Sequence, residues 1–142
     1  MREILFRGKC NEVGKYNGQW IEGFYGEDDG KPIIARSTDH GLIGYFCEPD
    51  SIGQYTGLTD KNGKKIFEGD IIHLEYSQVF FGGVYFGEYT AEVSYKEGCF
   101  ITDGINNGDE IETPLSGFNN DEVEIIGNIH DNPELLGGES DG

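Results

Sequence analysis

Three histidines, three cysteines and one short run of lysines are the residues from which this chain could build chemistry. His40, His73 and His130 each stand alone, with no second histidine at helical spacing and no C-x-x-C pair, so no local metal-ligand pattern is present. A ligand set gathered from distant residues stays open, and Glu68, Asp70 and His73 are the ones that would serve a metal-assisted hydrolase. The structural reading of that stretch is that Gly69 turns the chain while Asp70 accepts nearby backbone N–H groups. Asp60-Lys61-Asn62-Gly63 looks like the start of a calcium loop, but such a loop needs glycine sixth and glutamate twelfth, where this chain has glycine fourth and Ile71 twelfth. Walker, nucleophile-elbow and dinucleotide patterns do not occur. The expectation is a protein without catalytic residues, cofactor or metal, and so not an enzyme.

Binding is the chemistry that remains. Lys61, Lys64 and Lys65, with Tyr55 nearby, form the chain's one basic cluster and suit a small ligand or signal nucleotide. Phe80, Phe81, Tyr85 and Phe86 belong to two aromatic runs about Gly82-Gly83, which predicts a protruding hairpin over 77–88. One sheet cannot bury so many rings, so the arm calls for a partner surface.

Composition narrows the partner. Lys and Arg number 10 against 27 Asp and Glu, a net charge of −17 that opposes any phosphate backbone and steers basic partners toward the molecule. Nucleic acid is therefore not expected. Three cysteines make no disulfide framework and fit a reducing cytoplasm, with Cys47 and Cys99 read as buried, unreactive thiols. The first residues carry no apolar leader, and no apolar run approaches the roughly 18 residues of a membrane helix.

The elements that must hold these residues are strands. Gly supplies 23 of 142 positions, scattered as turn residues, and no apolar stripe of helical period runs beyond a turn or two. Alternation predicts strands at Glu3–Arg7, Gln19–Tyr25, Ile33–Arg36, Leu42–Cys47, Ile71–Tyr76, Tyr89–Tyr95, Cys99–Thr102 and Val123–Ile129. Asn17-Gly18, Asp29-Gly30, Asn62-Gly63 and Glu97-Gly98 read as turns, and residues 103–108 as a loop. Asn132-Pro133 predicts a short capped helical turn. The expected class is mainly β, an N-terminal β meander packed on a C-terminal SH3-like small β-barrel with few helical turns. The expected boundaries are 1–58, 59–136 and a disordered acidic tail at 137–142.

Residues 53–72, Gly53-Gln54-Tyr55-Thr56-Gly57-Leu58-Thr59-Asp60-Lys61-Asn62-Gly63-Lys64-Lys65-Ile66-Phe67-Glu68-Gly69-Asp70-Ile71-Ile72, closely resemble the signature of the YopX family of phage and prophage proteins. The opening, Arg2 to Lys9 with Asn17 to Gly23, and the ending, Ile125 to Leu136, are similar to the same family. Segments 77–88 and 103–121 are the least familiar. The resemblance implies a small, mostly β, homo-oligomeric protein of a bacteriophage or prophage, with no catalytic residue to carry over. Gln54, Tyr55, Gly57, Gly63, Gly69 and Asp70 match the signature and read as a structural junction, glycine for corners and tyrosine for core. The expected role is a cytoplasmic, non-enzymatic module that binds a host or phage protein. The alternative is a small-ligand or signal-nucleotide sponge.

Overall fold

The computed structural model describes residues 4–106 and 109–136, so the expected tail at 137–142 lies outside the described residues. The fold is mainly β, with short 3₁₀ turns and no α-helix among the described residues. No helix is long and apolar enough to cross a membrane. Contacts divide the chain into two compact units, Met1–Gly57 and Leu58–Gly142.

In the first unit, β1 (Phe6–Lys9), β2 (Trp20–Asp28), β3 (Lys31–Thr38), β4 (Gly41–Phe46) and the start of β5 (Gly53–Thr59) form antiparallel pairs in the order β4-β3-β2-β1-β5. Hairpin geometry explains the corner between β2 and β3: Asp29 and Gly30 both take positive φ, 53° and 76°, which matches the twist of the flanking strands. Ile21, Ile34, Tyr45, Cys10 and Cys47 make the core, with Phe6, Tyr16 and Ile52 packed on it. Arg36 lies over the Tyr16 and Tyr45 rings, at 5.4 and 5.0 Å, covering the aromatic edge with a cation.

Cys10 and Cys47 face each other across an isolated bridge, each 2% exposed. Burial, reinforced by the neighbouring Cys10, pushes the Cys47 thiol up to about 11, so its reactive thiolate is scarce at neutral pH. Cys99 corrects the sequence reading. It is exposed beside the Glu97-Gly98 turn, because that hairpin stands out of the core. Maleimide labelling of the native protein is expected to modify one thiol, lost in Cys99→Ser, and all three after denaturation. Rapid native modification of all three would contradict the burial.

In the second unit, β6 (Lys65–Phe67) follows β5 and neighbours it. The remaining strands are β7 (Asp70–Phe80), β8 (Gly83–Lys96), β9 (Cys99–Asn106), β10 (Asp109–Pro114) and β11 (Val123–Asn128), in the antiparallel order β10-β9-β8-β7-β11. The sheet is open, which corrects the expected barrel: β11 occupies the outer edge of β7, and β10 ends the sheet on the other side. Residues 103–106 are strand where a loop was expected. Their polar, glycine-containing composition hides a regular pairing with β10, whose exposed Glu110 and Glu112 give that edge charges that discourage pairing with another chain.

Alternation gives this sheet one apolar face. Ile72, Leu74, Tyr89, Ala91, Val93 and Val123 pack there with Ile66 and Leu115. Within this unit, two carboxylates of the signature segment are bonded to backbone N–H groups. Asp60 is 1% exposed, and its carboxylate accepts the N–H groups of Asn62 and Lys64 at 2.9 Å and of Ile125 at 3.0 Å. Asp70, 2% exposed, accepts the Phe67 N–H at 2.8 Å, as its sequence context predicts. Gly69, at φ 94°, donates to the Val93 carbonyl and accepts from the Ile129 N–H, a corner that a side chain would strain.

Candidate functional site

The aromatic arm exists as the continuation of β7 and β8, which stay paired out to Phe80↔Gly83. Its turn is Phe81-Gly82, both at positive φ (47° and 81°), one residue before the expected Gly82-Gly83. Phe81 tolerates that conformation at the tip, where its ring is fully exposed (106%), and Phe86 (82%), Tyr85 (58%) and Val84 (56%) follow it down β8. Residue alternation distributes them over both faces of the ribbon. Phe80 continues the strand, but its side chain lies outside what the structure describes.

At the base of the arm the two faces of the sheet carry different chemistry. On the core side Tyr76 and Tyr89 meet edge to face at 6.1 Å, and with Phe118, Ile111 and Thr113 they line a groove of about 310 Å³. Gly87 makes room for this arrangement, since a Cβ there would come within 2.4 Å of the Tyr76 ring. A second groove of about 410 Å³ opens between the arm and the 3₁₀ turn Asn120–Glu122, lined by Glu75, Phe86, Glu88, Asp121 and Glu122. That turn is fixed by a capping box, with the Glu122 carboxylate accepting the Asn119 N–H at 2.8 Å.

The face opposite the core is acidic. Pairing register places Glu75 opposite Glu88, Glu124 opposite His73, Glu92 opposite Asp103 and Asp103 opposite Glu112, all on one side of the sheet. Partial burial, with the negative Asp103 and Glu68 nearby, holds the Glu92 carboxyl above its ordinary range. Lysines sit at the flanks: Lys96 binds Glu112 at 3.0 Å, which raises the lysine, and Lys61 approaches Glu124 at 3.4 Å. Among the described residues, the group whose ligand atoms approach closely enough for an ion is His73, Glu75 and Glu88.

The residues singled out from sequence thus separate. Phe81, Tyr85 and Phe86 are exposed on the arm. Tyr55 is 7% exposed in the interior, its N–H bonded to the Leu5 carbonyl. Lys61, Lys64 and Lys65 are exposed on and after the 60–64 turn, and none of them lines either groove. Glu68, Asp70 and His73 do not converge, because the Asp70 carboxylate is buried against the Phe67 N–H. Sequence reasoning missed Tyr76, Tyr89 and Phe118, which join only when β7, β8 and the segment after β10 pack together.

Residues 5–137 match a protein family described as YopX protein. The crystal structure of protein EF1440 from Enterococcus faecalis is similar in fold, with a TM-score of 0.55 at 23% identity over 96% of this chain and 100% of that one. No curated protein matches the chain.

Proposed function

We propose that this chain, which belongs to the YopX family, is a phage or prophage accessory protein that works in the bacterial cytoplasm by binding another protein, as a homo-oligomer and without catalysing a reaction. One observation carries the reading. Phe81, Val84, Tyr85 and Phe86 crowd a two-stranded arm in the open, where solvent exposure of so much apolar surface is unfavourable unless a partner covers it. The acidic face next to the arm suits a partner with a basic surface and would quicken its approach. Phage origin and self-association rest on the family resemblance, and the free Cys10 and Cys47 fit a reducing compartment.

Tagged protein is expected to retain a partner from infected or lysogenic cells, weakening as salt rises. The double variant Phe81→Ser, Phe86→Ser should release that partner while its thermal midpoint stays close to wild type, since both rings are exposed. Equal retention by the variant, or steady turnover of a nucleotide by the purified protein, would defeat the reading.

The aromatic groove favours a second reading, a small planar ligand stacked against Tyr76, Tyr89 or Phe118. Glu122 on its rim disfavours a phosphate group, so a neutral or cationic molecule fits better than a nucleotide. Mass spectrometry of material released on denaturation distinguishes the two readings: a stoichiometric small molecule supports the groove, and none supports the arm alone.

A further inference from the structure

Beyond the charge it offers a partner, the acidic face holds a mixed histidine–carboxylate cluster. We propose that His73, Glu75 and Glu88 bind one divalent transition-metal ion of the zinc or manganese class. Strand geometry brings them together. His73 and Glu75 are two residues apart on β7 and so share a face, and Glu88 on β8 lies directly opposite Glu75. One ligand atom from each lies within 4.8 Å of the other two, and His73 Nε2 is 3.9 Å from Glu88 Oε1. Metal–ligand bonds of about 2.0–2.2 Å set the donors of one ion roughly 3–3.5 Å apart, so modest side-chain rotations complete the site while the paired backbones stay fixed.

Donor type selects the ion. Two carboxylates alone would suit magnesium, calcium or manganese, whereas an imidazole nitrogen favours zinc and its neighbours, so the mixed set fits ions that accept both donor types. Charge supplies the driving force: Glu75 and Glu88 are like charges in direct cross-strand opposition, an unfavourable pair that a dication between them converts into an attractive one. The same face offers an internal comparison. Glu92 and Asp103 are also directly opposed, but their neighbours in register are Ile71 and Glu112, with no histidine. Three protein donors leave further coordination positions, and because Glu75 and Glu88 also line the acidic groove, water or a partner's side chain can reach them there.

The test is calorimetric titration of the chelator-treated full-length protein with zinc and with manganese chloride. One ion per chain is expected, with His73→Ala, Glu75→Gln and Glu88→Gln each weakening binding roughly tenfold or more, about 1.4 kcal/mol. The double variant Glu92→Gln, Asp103→Asn should bind as wild type does. Glu75 and Glu88 are exposed, so their glutamine variants keep the test open even if His73→Ala fails to fold. Absence of binding by the wild type, or weakening by the Glu92/Asp103 variant equal to that of the site variants, overturns the proposal, the latter showing general attraction to an acidic face.

Discussion

Asp60→Ala is expected to lower the unfolding free energy by about 4 kcal/mol. The carboxylate accepts three backbone N–H groups, and alanine would leave all three without it in a site that is 1% exposed. Two of the donors, Asn62 and Lys64, shape the turn after β5, while the third, Ile125, lies 65 residues away on β11. One side chain therefore ties a local turn to a distant strand. Asp60→Asn should cost less, about 2 kcal/mol, because its remaining oxygen serves the turn while its amide nitrogen faces the Ile125 N–H, donor against donor. Urea unfolding of the three proteins gives the ranking. An alanine variant as stable as wild type would show that the carboxylate is not what anchors the turn.

The same residue makes stability depend on acid. Burial pushes the Asp60 carboxyl up, but the backbone donors Ile125, Lys64 and Asn62, with the Lys64 charge, together outweigh it and hold the group below its ordinary range. A carboxyl depressed in the folded state adds stability above its unfolded value near 3.9. That contribution disappears as pH falls through the lower folded value, where the native carboxylate itself takes up a proton. The gap in stability between wild type and Asp60→Asn should accordingly narrow as pH falls below about 4, with little change from pH 5 to 8.

Asp60 also shows what the sequence made legible. The Asp-x-Asn-Gly string marks a turn, and the two bonds to Asn62 and Lys64 follow from that local pattern. The bond to Ile125 does not, since nothing local says which strand will pass by. Turns ending in glycine were readable for the same reason: in Asp29-Gly30 and Glu97-Gly98 the glycine takes the positive φ that its lack of a Cβ allows. The arm is the instructive miss. Placing its turn at Gly82-Gly83 would slide the register by two residues and set Glu75 opposite Thr90, whereas the true Phe81-Gly82 turn sets it opposite Glu88. The acidic cluster was hidden by one residue of turn placement. Strand β10 was hidden differently, because Glu110 and Glu112 at an edge carry the composition of a loop.

Gly104→Ala is the second substitution with a large expected effect, a loss of about 3 kcal/mol. Gly104 lies on β9 between Ala91 on β8 and Ile111 on β10. A Cβ there would stand 2.5 Å from the Thr90 carbonyl oxygen, 3.0 Å from the Ala91 Cβ and 3.1 Å from the Tyr89 ring. The first of these is backbone and cannot rotate away, so the strands themselves must part. The last couples stability to the site, because Tyr89 lies against the bare glycine surface and forms one wall of the aromatic groove. The variant should therefore unfold at lower urea and also lose near-ultraviolet circular dichroism from its tyrosines before unfolding begins. Gly117→Ala is the control: a Cβ there meets nothing within 4 Å, so stability should stay within about 0.5 kcal/mol of wild type. If Gly104→Ala behaved like that control, the close approach of β8 and β9 would not be what seats Tyr89, and the groove would owe its shape to the segment around Phe118 instead.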